Sequence, residues 1–97
     1  MNFAEKIKAI RAAEGLSQAK FCQIIDLSIS TLKKYESSGF EPGGSALMKI
    51  TRHPQFEKYT LWLMTDKTAE ASGQISPALS PDGQNAISNN QDGQKVG

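Results

Sequence analysis

Hydroxyl and ammonium side chains share one face of a short helix predicted near the middle of the chain. After Ser28, a good N-cap, Ser30, Lys33 and Lys34 fall on one side of a helical wheel, and Leu32 falls on the other. Small hydroxyl groups let a helix approach a duplex closely, and lysines can reach phosphate or guanine acceptors. This face therefore favours contact with the major groove of DNA.

A second short helix is predicted immediately before this one. Ser17 is a suitable N-cap for it, and its apolar residues recur on one side, as expected of a buried stripe. These apolar residues are Phe21, Cys22, Ile24 and Ile25. Asp26 and Leu27 separate the two helices, and two short helices joined by so brief a turn are the pattern of a helix-turn-helix.

This pair of helices resembles the helix-turn-helix of the Cro and repressor family. The resemblance rests on Leu16-Ser17-Gln18, Cys22, Leu27-Ser28, Thr31-Leu32 and Tyr35-Glu36. It implies that Arg11, on the preceding helix, forms an ion pair with Glu36, because packing would partly desolvate both charges. It also implies that Asp26 adopts the left-handed conformation for which the family prefers glycine.

Further segments carry a narrower resemblance over nearly the whole chain. They are Phe56-Glu57-Lys58-Tyr59-Thr60-Leu61-Trp62-Leu63-Met64-Thr65, Ser72-Gly73-Gln74-Ile75, Pro77-Ala78-Leu79 and Gly93-Gln94-Lys95. These segments are similar to the immunity repressors C of peduoviruses, the P-two-like temperate phages. The resemblance implies a sequence-specific DNA-binding repressor that maintains lysogeny by occupying operators at the early promoter as a dimer. The implied partners are double-stranded operator DNA, a second copy of the chain and a phage antirepressor.

The residues expected at the DNA lie at the start of the first motif helix and along the second. Base contacts are expected from Ile29, Ser30, Thr31, Lys33 and Lys34, with Lys34 reaching a guanine and Ile29 a thymine methyl group. Phosphate contacts are expected from Ser17, Gln18 and Ser28, because helix amino termini attract anions. Ile29 has a second interpretation of equal weight, a core residue, because it lies at the boundary between the two faces.

A fifth helix, predicted from about 55 to 65, carries more apolar residues than one face can bury. Phe56, Tyr59 and Leu63 share a face that completes the core, and the other apolar residues point elsewhere. Two copies of a small domain read two half-sites, so we expect the surplus to form a dimer interface. The expected interface consists of Tyr59, Leu61, Trp62 and Met64. The alternative is that the following segment covers Leu61 and Trp62 within one chain.

The expected architecture is an all-α, five-helix Cro/repressor-type helix-turn-helix domain. The first helix is predicted over residues 3 to about 14, and a fourth is predicted to be capped by Ser45 and to end before His53. Residues 1–66 would form the DNA-binding domain with its dimerisation helix. Residues 67–80 would add a small β-hairpin that turns at Ser72-Gly73 and contributes to the dimer. Residues 81–97, rich in polar residues and glycine, would form a mobile tail.

Length, charge and cysteine content exclude several classes of function. Ninety-seven residues leave room for one small domain, and a net charge of +1 means that DNA binding must rest on local charge. The single cysteine cannot form an internal disulfide, and neither a secretory signal nor a membrane span is predicted, which agrees with a reducing cytoplasm. The phage resemblance implies that this is the cytoplasm of the bacterial host. The sequence shows no catalytic constellation and no metal-ligand cluster, so neither an enzyme nor a cofactor is expected.

Two other functions fit the same residues. An antitoxin or a restriction-controller protein uses the same motif, and a toxin gene next to its own gene would identify it. A protein-binding adaptor would use the apolar surface of helix 5 and would not contact DNA. Phosphate contacts make affinity strongly dependent on salt, which distinguishes DNA binding from the adaptor.

Overall fold

The computed structural model describes residues 1–77, and its regular structure is helical. It has five α-helices: α1 (Phe3–Ala13), α2 (Gln18–Ile25), α3 (Ile29–Glu36), α4 (Gly44–Thr51) and α5 (Thr60–Thr65). Short 3-10 helices span Glu57–Tyr59 and Glu70–Ser72. The expected all-α fold is confirmed within the described residues. The expected tail, 81–97, and residues 78–80 of the expected hairpin lie outside them.

Helix α1 begins where the sequence provides a reciprocal cap. The Asn2 side chain accepts a hydrogen bond from the backbone N–H of Glu5, and the Glu5 carboxylate accepts one from the backbone N–H of Asn2. This capping box satisfies N–H groups that the helix itself leaves unpaired. The chain turns away from the helix at Gly15, whose φ of 68° is a left-handed conformation that glycine adopts without strain.

All five helices and the 3-10 turn before α5 enclose one apolar core. It consists of Ile7, Ile10, Ala13, Phe21, Cys22, Ile25, Leu32, Ile50, Phe56, Tyr59 and Leu63. The rings of Phe21 and Phe56 meet edge to face, with their centroids 5.1 Å apart. Burying each large apolar side chain contributes about 1.5 to 3 kcal/mol relative to exposure. The core therefore holds α2 and α3 firmly against the rest of the domain.

The segment predicted as one helix from about 55 to 65 is divided in two. A 3-10 turn precedes α5, because its geometry aligns side chains three residues apart and so places both Phe56 and Tyr59 in the core. Tyr59 is fully buried, and its hydroxyl group donates a hydrogen bond to Glu14. Tyr59 is therefore a core residue, and the prediction that it belongs to a dimer interface is wrong.

The start of α4 also differs from the sequence prediction. Gly43, not Ser45, is the N-cap, and the helix has no side-chain hydrogen bond at this end. Pro42 is buried directly before it, so the chain enters the helix from a fixed position. Ser45 consequently lies inside the first turn of the helix.

Lys6 joins α1 to the end of α5. Its ammonium group donates hydrogen bonds to the backbone carbonyl oxygens of Trp62 and Leu63, at 3.2 and 3.0 Å, and lies 2.7 Å from an Asp66 carboxylate oxygen. The last carbonyl groups of a helix have no partners within the helix and carry partial negative charge. Lys6 supplies both the hydrogen bonds and the opposite charge, which explains why a lysine is buried here.

The residues after α5 fold back onto the helices of the same chain. Within residues 67–77, an isolated antiparallel bridge joins Ala69 to Gln74 without forming strands, and Gly73 turns the chain with a φ of 81°. The Gln74 side chain accepts a hydrogen bond from the backbone N–H of Leu61 and donates one to the carbonyl oxygen of Glu57. The segment therefore contacts the start of α5 within one chain.

Candidate nucleic-acid interface

The amino terminus of α3 is built from three hydroxyl side chains. The Ser28 hydroxyl accepts a hydrogen bond from the backbone N–H of Thr31 at 3.2 Å and donates one to the Thr31 hydroxyl at 2.7 Å. The hydroxyl oxygen of Ser30 lies 3.3 Å from that of Ser28. Ser28 therefore caps α3, and the three hydroxyls form a small polar surface at the start of the helix.

The side of α3 that the sequence predicts to face DNA is exposed. Ser30, Lys33 and Lys34 lie at the surface, and within residues 1–77 neither of these lysines forms an ion pair. Ile29 is 41% exposed, so the structure does not support its interpretation as a core residue. Thr31 is half-buried between the two sides of the helix. This exposed side thus combines small hydroxyls with two ammonium groups that carry no internal charge partner.

The opposite side of α3 is anchored through Leu32 and Glu36. Leu32 is fully buried, and the side chain of Glu36 is only 3% exposed. Arg11 donates two hydrogen bonds to the Glu36 carboxylate, at 2.8 and 2.9 Å, and a third to the backbone carbonyl oxygen of Leu16. The Gln18 amide donates a further hydrogen bond to Glu36, at 3.0 Å. The buried carboxylate is therefore satisfied by partners on two other helices.

This network fixes α3 relative to both preceding helices. Arg11 belongs to α1, Gln18 to α2 and Glu36 to α3. The hydrogen bond with Glu36 raises the pKa of Arg11, although burial alone would lower it. The structure thus brings together the two residues that the family resemblance pairs, and it adds Gln18, which no local sequence pattern connects to Glu36.

The amino terminus of α2 presents Ser17 and Gln18, the residues expected at phosphates. The Ser17 hydroxyl accepts a hydrogen bond from the backbone N–H of Lys20 at 3.1 Å, and Ser17 remains exposed. Gln18 is half-buried, and its amide is turned toward Glu36. Gln18 therefore forms a structural hydrogen bond that the sequence analysis does not predict.

The turn between α2 and α3 is held from two sides. Asp26 has φ 58° and ψ 57°, the left-handed conformation that the family resemblance implies. Leu27 is half-buried and packs against the core. The ammonium group of Lys49, on α4, donates a hydrogen bond to the backbone carbonyl oxygen of Asp26. The relative direction of the two motif helices is therefore set by the backbone of the turn together with its packing.

Helix α3 ends in a Schellman motif that returns the chain to Lys34. Ser38 has a left-handed φ of 66°, and its N–H donates to the carbonyl oxygen of Tyr35. The N–H of Gly39 donates to the carbonyl oxygen of Lys34 at 2.8 Å, which completes the motif. The ring of Phe40 then lies 5.3 Å from the Lys34 ammonium group. Sequence reasoning missed Phe40, because an isolated aromatic residue in a glycine-containing loop has no periodic pattern.

Cys22 and His53, the residue types most often found at metal sites, have partners of their own. Burial raises the pKa of the Cys22 thiol, whose sulfur lies 3.6 Å from the carbonyl oxygen of Ser28. The His53 ring accepts a hydrogen bond from the backbone N–H of Gln55. In the part of the chain that the structure describes, no three metal-binding side chains come together. Every described helix is also too short to serve as a candidate membrane span.

A helix-turn-helix family model matches about half of this chain, and a phage protein resembles it over nearly its whole length. The family model for the helix-turn-helix matches residues 7–56, a range that contains α2, α3 and α4. The chain is 42% identical over 94 residues to repressor protein C of Escherichia phage P2, a match that covers 97% of this chain and 95% of the phage protein. The chain therefore belongs to the helix-turn-helix family and, within it, to the family of the phage P2 repressor protein C.

Proposed function

We propose that this chain is a sequence-specific DNA-binding repressor that maintains phage lysogeny by occupying operators at the early promoter. The observation that carries the proposal is the exposed side of α3, where Ser30, Lys33 and Lys34 are held at the surface by a helix whose other side is buried. A helix of this kind enters the major groove, where small side chains permit close approach. The similarity to a phage repressor, which covers 97% of this chain, also supports a repressor function.

The proposed contacts divide into those that read bases and those that position the protein. Bases are contacted by Ile29, Ser30, Thr31, Lys33 and Lys34, all on α3. Phosphates are contacted by Ser17, Gln18 and Ser28, at the amino termini of α2 and α3. Phosphate contacts fix the register on the duplex without reading its sequence, so specificity depends on the first group.

The proposed active form is a homodimer that is held together through α5. Met64 is 50% exposed, and Leu61 and Trp62 are half-buried, so α5 keeps an apolar surface beside the core. A second copy would bury this surface and would supply a second recognition helix for a second half-site. The proposed interface therefore consists of Leu61, Trp62 and Met64, without Tyr59.

Substitution of Lys34 tests the proposed base contacts. Nuclease protection of the DNA next to the gene first identifies the bound duplex, and fluorescence anisotropy then measures affinity for it. Lys34→Ala should weaken binding by about 1 to 3 kcal/mol and reduce the preference at one base position. Lys8→Ala, which removes an exposed lysine from α1, is the matched control and should leave the affinity unchanged.

The salt dependence of the same binding tests whether the partner is DNA at all. The logarithm of the affinity should fall linearly with the logarithm of the salt concentration, with a slope of about −0.9 for each phosphate contacted. A protein-binding adaptor would show no such dependence with DNA. Equal affinity for every duplex offered, or an unchanged affinity for Lys34→Ala, would contradict the proposed recognition surface.

A further inference from the structure

We propose that Phe40 positions the Lys34 side chain for DNA contact and so contributes to operator affinity through that lysine. Phe40 lies outside the recognition helix, four residues after its last residue, Glu36. The inference rests on the proposed function, because it assigns to Phe40 a part in the same recognition surface.

The backbone places Phe40 beside Lys34. The N–H groups of Gly39 and Phe40 both donate to the carbonyl oxygen of Lys34, at 2.8 and 3.3 Å. A Cβ atom on Gly39 would lie 3.3 Å from the same oxygen, closer than ordinary contact, so glycine permits this tight return of the chain. The position of the ring therefore follows from the end of α3.

The ring of Phe40 does not serve the core. Phe40 is 60% exposed, whereas Phe21 and Phe56 are completely buried. The centroid of its ring lies 5.3 Å from the ammonium nitrogen of Lys34, within the range of a cation–π interaction. Lys34, and not the core, is therefore the contact that accounts for the position of this exposed ring.

The physical effect is to order Lys34 before the duplex arrives. A free lysine side chain samples many rotamers, and restricting them on binding opposes association. Contact with the ring restricts these rotamers in the unbound protein. The ammonium group has three N–H donors, so one side can face the ring while another reaches an acceptor on DNA. The attraction strengthens as the duplex displaces water from the pair.

A spectroscopic measurement without DNA tests the contact itself. In the free protein, the ring current of Phe40 should shift the NMR signals of the Lys34 side-chain methylene protons upfield. Phe40→Leu should abolish these shifts and leave those of Lys33 unchanged. Identical Lys34 shifts in the two proteins would overturn the proposed positioning.

A double-mutant cycle tests whether the contact matters for binding. On the duplex identified by nuclease protection, Phe40→Leu should weaken binding about 2- to 5-fold, the effect of an exposed cation–π pair, and Phe40→Tyr should retain affinity. In a Lys34→Ala background, Phe40→Leu should have no further effect, whereas in a Lys33→Ala background its full effect should persist.

The outcomes separate this inference from the proposed function. Equal losses in the wild-type and Lys34→Ala backgrounds would overturn the inference, since Phe40 would then act independently of Lys34. Undiminished operator binding by Phe40→Leu would overturn it as well, and would leave the repressor function standing. A wild-type chain that prefers no duplex over another would refute both.

Discussion

Glu14 is a carboxylate buried at the end of α1, with a side chain only 3% exposed. It accepts hydrogen bonds from the Tyr59 hydroxyl at 2.6 Å and the Gln55 amide at 3.2 Å, and the Lys58 ammonium group lies 3.0 Å away. Burial opposes the ionised form, but the hydrogen bonds from Tyr59, Lys58 and Gln55 outweigh it and hold the pKa below its usual range. Ionised Glu14 therefore stabilises the contact between α1 and the segment before α5.

The sign of this pKa shift predicts a loss of stability in acid. A carboxylate with a lowered pKa in the folded state contributes its full stabilisation above its unfolded pKa of about 4.3, and loses it as the pH falls through that value and then through the folded pKa. The free energy of unfolding, measured with urea, should be steady between about pH 7 and 5 and should decline below.

Glu14→Gln isolates this contribution from those of other carboxylates. The pKa of Asp66 is also lowered, by its hydrogen bond with Lys6, so part of the acid loss will persist in the variant. Glu14→Gln should be less stable than the wild type at pH 7 and should lose less stability between pH 5 and 3. Parallel stability curves for the two proteins would show that Glu14 is not responsible.

At the scale of the helices, the Arg11–Glu36 pair joins α1 to α3. Arg11→Ala would leave the buried Glu36 carboxylate without its charge partner and with the Gln18 amide as its remaining hydrogen-bond donor among residues 1–77, and breaking a buried pair in this way costs about 3 to 5 kcal/mol. Because Arg11 is itself partly exposed, we expect the lower end of that range, measured as the free energy of urea unfolding.

Two further variants show whether the loss comes from the stranded charge. Lys8→Ala, on the exposed side of the same helix, should change stability by less than about 0.5 kcal/mol. The double variant Arg11→Met/Glu36→Met removes both charges and should be more stable than Arg11→Ala alone. A double variant no more stable than Arg11→Ala would contradict this explanation.

The elements differ in how far local sequence determines them. Apolar spacing and capping residues predict α1 to α3 closely, because each helix is short and its signals are local. The 3-10 turn before α5 could not be predicted in this way. It places both Phe56 and Tyr59 in the core, and this packing depends on the other helices and not on local sequence. The contact of Lys6 with the end of α5 joins residues more than fifty positions apart, so no local pattern could reveal it.

The candidate site was predictable to a similar degree. The helical wheel predicts the exposure of Ser30, Lys33 and Lys34, and the family resemblance supplies the Arg11–Glu36 pair. The contact of Phe40 with Lys34 could not be predicted, because it depends on the backbone path after α3 and not on helical spacing.

At the scale of the whole molecule, the proposed dimer depends on the apolar surface of α5. Met64→Glu places a charge at a residue that is 50% exposed, so the fold should tolerate it while a partner surface would not. Sedimentation should show a dimer for the wild type and a monomer for Met64→Glu, with weaker operator binding for the variant.

Met48→Glu is the matched control for this substitution. Met48 is exposed to a similar extent but lies on α4, outside the proposed interface. It should leave both the dimer and the affinity for DNA unchanged. A Met64→Glu protein that still sediments as a dimer would place the interface elsewhere.

Helix α3 keeps its two sides chemically separate. Leu32 and Glu36 are buried, while Ser30, Lys33 and Lys34 are exposed. If α3 reads DNA as proposed, replacing these outward residues would change the duplex that is bound and leave the packed side of the helix intact. Under the proposed function, two proteins that differ only at these residues would then act in one cell without binding to each other's operators.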